Sequence, residues 1–358
     1  MKQSRSSSLL ISLLLLFLRR KPVTIPPLKE LKRILVVRQH NQLGDMLVGT
    51  PLFRTLRQHA PNAEIIVIAS KENISALVGN PHISKTVLFD KKNLSSILKV
   101  WKILRSGFDL SLVPATVSVT FTGCLLARLA KSSCYLGPAS LNGESNEAAE
   151  FFDITVDLDW RNQPPVHTSQ KTVDILKPLG LETEDYTSVI HWSAKENALA
   201  DEFVQYLREQ PYQPVIGLHP GAGKVPNRWN AENFIQVIQF FREEYDAALY
   251  FTGTGADEEV FHRISSKLDT AVPIFLNKTV AQTAAMVAKS DLYITNDTGA
   301  MHIAGATGVR QISLFGPTEP LEWAPVGENK HYLKVSESVD SVTPDMVIEL
   351  SKQLLGRK

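Results

Sequence analysis

Cysteine, net charge and long apolar runs are all scarce in this sequence, and each scarcity removes a class of protein. The two cysteines, Cys124 and Cys134, are too few for a disulfide framework. Both stand among apolar neighbours and read as buried, inert thiols of a reducing compartment. Lys and Arg number 38 against 37 Asp and Glu, a net charge of +1, so no broad basic surface is available and nucleic acid is not an expected partner. The apolar run Leu9–Leu18 covers roughly 15 Å as a helix, about half of a hydrocarbon core, and does not span a bilayer. There is neither a Walker loop nor a G-x-G-x-x-G fingerprint. No acidic or His/Cys cluster has convincing metal-ligand spacing.

What is present is an ordinary globular balance in a chain of 358 residues, 44% hydrophobic and 21% charged, long enough for two domains. Lys2 and Arg5 precede the Leu9–Leu18 run, and Arg19, Arg20, Lys21 and Pro22 follow it with no small-residue cleavage site. Residues 1–27 are therefore expected to anchor the chain to a membrane surface through cations facing anionic headgroups, in preference to serving as a secretory signal. A disordered leader is the remaining reading.

From Arg33 onward, β-branched runs alternate with helical patterns, which predicts parallel sheets built from βαβ units. In the first half, strands are expected at Ile34–Val37, Ile65–Ala69, Thr86–Phe89, Leu110–Val113 and Cys134–Leu136. Helices are expected at Met46–His59, Ile74–Gly79, Leu94–Arg105, Val117–Ala130 and His167–Leu179, the last stopped by Gly180. Residues 137–165 read as irregular loops. In the second half, strands are expected at Val215–Leu218, Ala248–Phe251, Leu292–Thr295 and Gln311–Leu314, with helices at Ala231–Tyr245, Ala256–Lys267, Thr279–Lys289 and Pro344–Leu355. The expected organisation is α/β: two Rossmann-like domains at 28–180 and 181–342, with a closing helix at 343–358. Ligands of such open sheets bind beyond the carboxyl ends of the strands, so the facing loops of the two domains are expected to form a cleft.

The chemistry-bearing loops follow the strands. Arg38-Gln39-His40-Asn41-Gln42-Leu43-Gly44-Asp45 leads into a helix. Asp45 either caps that helix or faces the substrate, where it could take a proton from a hydroxyl nucleophile. In His219-Pro220-Gly221-Ala222-Gly223-Lys224, glycines allow backbone N–H groups to approach an anion, and Lys224 or Arg228 could add charge. The strand end Phe251-Thr252-Gly253-Thr254-Gly255 precedes Asp257, Glu258 and Glu259, which either favour a helix start or meet a ligand. Asn296-Asp297-Thr298-Gly299, with His302 one turn on, are capping residues or a diphosphate cradle at a helix N-terminus.

Together these loops resemble the ADP-heptose:lipopolysaccharide heptosyltransferase family, glycosyltransferase family 9, of the GT-B type. The resemblance runs from Arg33 to about Gly327. It is carried by Leu43-Gly44-Asp45 with Thr50-Pro51-Leu52 and Leu56-Arg57, and by His219-Pro220-Gly221-Ala222. Asn296-Asp297-Thr298-Gly299 with His302, and Leu314-Phe315-Gly316-Pro317-Thr318 with Trp323, complete it.

The resemblance implies two Rossmann-like domains with parallel sheets facing a central cleft, and inverting transfer from ADP-heptose to a lipid A–core glycan. It makes Asp45 the general base on an acceptor-side loop that includes Arg38, Gln42 and Gly44. The donor would be held by Gly221, Ala222, Lys224, Arg228, Gly253, Glu258 (or Glu259, at the ribose), Asn296, Asp297, Thr298, Gly299 and His302. It also implies a cytoplasmic enzyme on the inner face of the inner membrane that needs no bound metal. One departure stands out: the family often has Lys-x-Trp-Pro where this chain reads Asn227-Arg228-Trp229-Asn230, so Arg228 or Lys224 would have to supply the phosphate-binding cation. Two other readings are a sugar-nucleotide epimerase of the same architecture, separable by its independence of an acceptor, and a degenerate membrane-tethered subunit that binds nucleotide without turnover.

Overall fold

The computed structural model describes residue 23 and residues 27–39, 42–208 and 213–356. The expected anchor at 1–27 lies outside the described residues, apart from Val23 and Pro27. Among the described residues no helix is long and apolar enough to cross a membrane. The chain divides into two compact units, residues 1–186 and 187–358.

The first unit runs β1 (Arg33–Arg38), α1 (Leu43–Val48), α2 (Pro51–His59), β2 (Glu64–Ala69), β3 (Lys85–Leu88), α3 (Leu94–Leu104), β4 (Phe108–Leu112) and α4 (Phe121–Leu129). It continues through β5 (Ser132–Leu141), β6 (Glu144–Ser145), β7 (Ile154–Leu158) and α5 (Thr168–Val173). The sheet order is β3-β2-β1-β4-β5, with β6 and β7 both beside β5. All pairs are parallel except the β5–β6 hairpin. The unbroken apolar run Ile34–Val37 suits a strand covered on both faces, and all four residues are fully buried. The Asp109 carboxylate accepts from the backbone N–H groups of Lys32 and Arg33 at 2.7 and 2.8 Å, pinning the start of β1 beside β4.

The single helix expected at Met46–His59 is two helices, because Pro51 has no N–H to continue the first and its fixed φ suits the start of the second. Residues 137–165 are not irregular throughout. Strand β5 continues to Leu141 and turns at Asn142 and Gly143, both at positive φ (48° and 77°), into β6, and β7 then pairs parallel to β5. Asn-Gly is a strong hairpin signal that the polar composition of this stretch obscured.

The second unit runs α6 (Ala194–Leu207), β8 (Val215–His219), α7 (Ala231–Tyr245), β9 (Ala248–Gly253), α8 (Glu258–Ser265), β10 (Ile274–Leu276) and α9 (Val280–Val287). It ends with β11 (Leu292–Asn296), α10 (Gly299–Gly305), β12 (Gln311–Leu314), α11 (Pro320–Trp323), β13 (Lys330–Leu333) and α12 (Pro344–Leu355). The sheet is wholly parallel in the order β10-β9-β8-β11-β12-β13. Its aromatic core includes Trp229, Phe234, Phe241, and the stacked pair Phe251–Phe261 at 5.3 Å. Helix α7 starts under an Asn230 side-chain cap and stops at Asp246, which takes a left-handed conformation. Helix α12, the expected closing helix, contributes Val347 to this same core.

Helix α6 was not anticipated. It buries only Ala200 fully, so it carries no wide apolar stripe to reveal its period. Its start is nevertheless written in the capping box formed by Ser193 and Glu196. The edge strands β10 and β13 were also missed, being short and only partly buried.

Candidate functional site

In an open parallel sheet the strand order reverses at one point, and there the loops leaving two adjacent strands separate to leave room for a ligand. In the first unit that point lies between β1 and β4. Arg38, the last residue of β1, is buried and crosses it. Its guanidinium donates to the Pro114 carbonyl at 3.1 Å and the Thr116 hydroxyl at 3.2 Å, both beyond β4, and to the Asp45 carbonyl at 3.4 Å. Burial lowers the Arg38 pKa to about 10, opposed by the Asp45 charge, which favours the cation.

Asp45 is the third residue of α1, 2% exposed. The cap position belongs to Gln42, whose side chain makes no capping bond, so Asp45 is not the helix N-cap that its sequence setting also allowed. The carboxylate is near enough to the Arg38 guanidinium for its charge to favour the cation, while the hydrogen bond between the two residues is made to the Asp45 main-chain carbonyl. Gly44 is half-buried and Gln42 exposed at the head of this loop. The structure therefore gathers Arg38, Gly44 and Asp45 at one strand end.

In the second unit the reversal lies between β8 and β11, and a network of side-chain amides closes it. Asn296 is fully buried; its Nδ2 donates to the Pro220 carbonyl at 2.8 Å, and its Oδ1 accepts from the Trp229 backbone N–H at 3.2 Å. Asn227 Nδ2 donates to the Asp297 carbonyl at 3.1 Å and to its carboxylate at 2.8 Å. Trp229 is a core anchor whose indole N–H donates to the Val342 carbonyl. Asn296, read in the sequence as a donor contact, thus acts here by holding the two loops in register.

The glycines mark where backbone and side chain meet closely. A Cβ on Gly221 would lie 2.1 Å from Asp257 Oδ1, and one on Gly253 would lie 2.4 Å from the Phe261 ring and 3.0 Å from Asp257 Oδ2. The Asp257 carboxylate accepts from the Thr254 N–H and hydroxyl in a capping box. His219 closes β8 and shares a 3.0 Å hydrogen bond with the Thr252 hydroxyl, which in turn meets the Tyr293 hydroxyl at 2.5 Å. Burial lowers the His219 pKa, with the Asp257 charge acting the other way.

The remaining predicted residues spread around this centre. Ala222 is buried and its carbonyl accepts from Arg228 Nε at 2.7 Å, while Lys224 is exposed before the short turn Val225–Asn227. Thr298 and Gly299 open α10, and the Thr298 hydroxyl makes no capping bond. His302 is turned into that helix's packing, its ring edge-on to Trp323 at 6.2 Å. A cavity of about 360 Å³ opens beside Gly221 and Arg228 and is also lined by Asp257, Glu259, Arg263 and Asp340. Glu258 is exposed at the start of α8, and Glu259 is the neighbour that reaches the cavity wall.

Arg263 and Asp340 escaped the sequence reading. Arg263 was within reach, since it lies four residues after Glu259 on one helix face. Asp340, more than 100 positions from Asn230, whose N–H it accepts, carried no local signal. Among the described residues no three His, Cys, Asp or Glu side chains converge to hold a metal.

The profile of Glycosyltransferase family 9 (heptosyltransferase) matches residues 97–346. Lipopolysaccharide heptosyltransferase 3 of Escherichia coli strain K12 is 26% identical over 308 residues, covering 80% of this chain and 83% of that protein. The glycosyl transferase family 9 structure from Veillonella parvula DSM 2008 superposes with a TM-score of 0.78 at 21% identity, covering 94% of this chain and 99% of the other. E. coli ADP-heptose lps heptosyltransferase II gives 0.73 at 20% identity, covering 90% and 98%. At such identities the two structures attest the fold, here the GT-B type, and nothing finer.

Proposed function

The chain belongs to glycosyltransferase family 9, and on that premise we propose that it moves a heptose from ADP-heptose to a lipopolysaccharide-core or related surface-glycan hydroxyl, with inversion at the anomeric carbon. The observation that carries the reading is the second unit's strand-reversal point. There the amides of Asn296 and Asn227 lock the Gly221 and Thr298 loops together beside a cavity with cationic and carboxylate walls. Gly221, Ala222, Gly253, Asp297, Thr298 and Gly299 would shape the seat of the diphosphate, and Arg228 and Lys224 would supply the charge that the replaced lysine gives elsewhere in the family. Glu259, or Glu258 beside it, would take the ribose hydroxyls, and His302, packed against Trp323, would support the helix that faces the leaving group.

In the first unit Asp45 is the proposed base. As the acceptor oxygen bonds to the anomeric carbon, the carboxylate takes the hydroxyl proton, and the anomeric C–O bond to the diphosphate breaks. Positive charge grows on the sugar and negative charge on the departing diphosphate, so fixed donors aimed at the latter act most strongly in the transition state. Arg38 holds the Asp45 loop in place from beneath.

The relatives named for lipopolysaccharide transfer support the acceptor class. Residues 1–27 are proposed to keep the enzyme on the cytoplasmic face of the inner membrane, where such acceptors are lipid-linked. The deciding experiment is acceptor-dependent turnover: purified protein with ADP-heptose and a truncated lipopolysaccharide should release ADP only when both are present. ADP-heptose consumed without an acceptor, or no ADP released across a panel of truncated cores, would overturn the reading.

A further inference from the structure

Helix α3 fully buries only Val100 and Leu104. Along its other side Leu94, Ile97, Leu98 and Trp101 are 70, 37, 60 and 50% exposed. At 3.6 residues per turn these four fall within roughly 100° of arc, a single apolar stripe beside the buried seam. Lys91, Lys92, Lys99, Lys102 and Arg105 are all exposed around it, and no acid occurs from Lys91 to Arg105. Among the described residues no ion pair engages these five cations. The Arg105 guanidinium lies 5.9 Å over the Trp101 ring, so cation and aromatic face are presented together.

A helix that only met water would gain nothing from four large apolar groups in one row, and an exposed contiguous patch of this kind marks a docking face. We infer that α3 lies in the surface of a bilayer containing anionic lipid. Leu94, Ile97, Leu98 and Trp101 enter the boundary of the acyl region, and Lys91, Lys92, Lys102 and Arg105 meet headgroup phosphates. The charge pattern selects this occupant, because Lys91, Lys92, Lys102 and Arg105 border the stripe against the single adjoining acid in the chain, Asp90, an excess that complements an anionic headgroup layer. Lys91 and Lys92 also line a cavity of about 560 Å³ beyond the carboxyl ends of β1 and β2, whose other charged walls are Lys71, Glu72 and Asp90. Docking through α3 therefore brings that cavity to headgroup level. The inference stands on α3 alone and requires neither the N-terminal anchor nor the transfer reaction.

The test uses the full chain with Leu98→Cys carrying an environment-sensitive nitrobenzoxadiazole label; the native thiols are buried. Vesicles of mixed phosphatidylglycerol and phosphatidylcholine should shift its emission to the blue. Phosphatidylcholine alone should not, and a label at Tyr206→Cys, exposed in the second unit, should stay unchanged. Lys102→Glu with Arg105→Glu should weaken sedimentation with the anionic vesicles by about tenfold or more. If the chain sediments with vesicles while the label at position 98 reports water, the membrane contact lies elsewhere and the inference is overturned. An equal shift on neutral vesicles would overturn the charge-selected occupant.

Discussion

The Asn227 side-chain amide donates to both the main-chain carbonyl and the carboxylate of Asp297, at 3.1 and 2.8 Å. Where the family often carries a lysine, this chain thus has a neutral donor already occupied by the neighbouring loop. Asn227 is 5% exposed and Asp297 half-buried, so replacement of Asn227 by alanine would leave the Asp297 acceptors short of a partner. Asn227→Ala is expected to cost about 1–3 kcal/mol of stability, read as a lowered urea midpoint. Asn227→Lys should keep a donor there and, by adding charge, tighten ADP binding in low salt. Weaker ADP binding by the lysine variant would show that the substitution is not about donor charge.

Asp45 offers a sharper contrast between binding and chemistry. Asp45→Asn preserves shape but removes the proton acceptor, so kcat should fall by roughly 10²-fold or more. Donor affinity should hold, since the proposed donor contacts lie in the other unit. Retained turnover would dismiss Asp45 as the base.

The Gly221 backbone has no room for a methyl group. In Gly221→Ala the new Cβ would meet Asp257 Oδ1, and that carboxylate is held by two bonds from Thr254. The variant should lose stability and ADP affinity together. Adding Asp257→Ala should return part of the loss, because it removes the obstruction, and a double-mutant cycle measures that coupling. Strictly additive losses would mean that the two residues do not meet.

His219 links stability to pH. Its pKa is lowered in the folded chain, chiefly by burial, so the unfolded chain binds a proton first as the pH falls. Stability from this residue is therefore intact well above about 6.5 and declines as the pH drops below that value. Urea unfolding between pH 8 and 5 should show the decline, and His219→Gln should make it shallower by up to one proton. Identical slopes in the two proteins would remove His219 from the linkage.

The sequence by itself determined the alternation of strands and helices and the loops that matter. Unbroken apolar runs such as Ile34–Val37 belong in doubly covered parallel strands, and a short loop must follow each one. Segments whose bounds are set by local chemistry, such as Ala231–Tyr245 and Pro344–Leu355, were legible to the residue. Only the tertiary structure decided what each polar residue in those loops does. Asn296 and Asp297 are neighbours in the chain, yet one spends its amide on Pro220 and Trp229 while the other receives Asn227. The cavity beside Gly221 takes walls from residues as far apart as Arg228 and Asp340. Hydrogen bonds and burial of this kind depend on which distant segments the sheet order brings together, and a local pattern of residues does not encode that order.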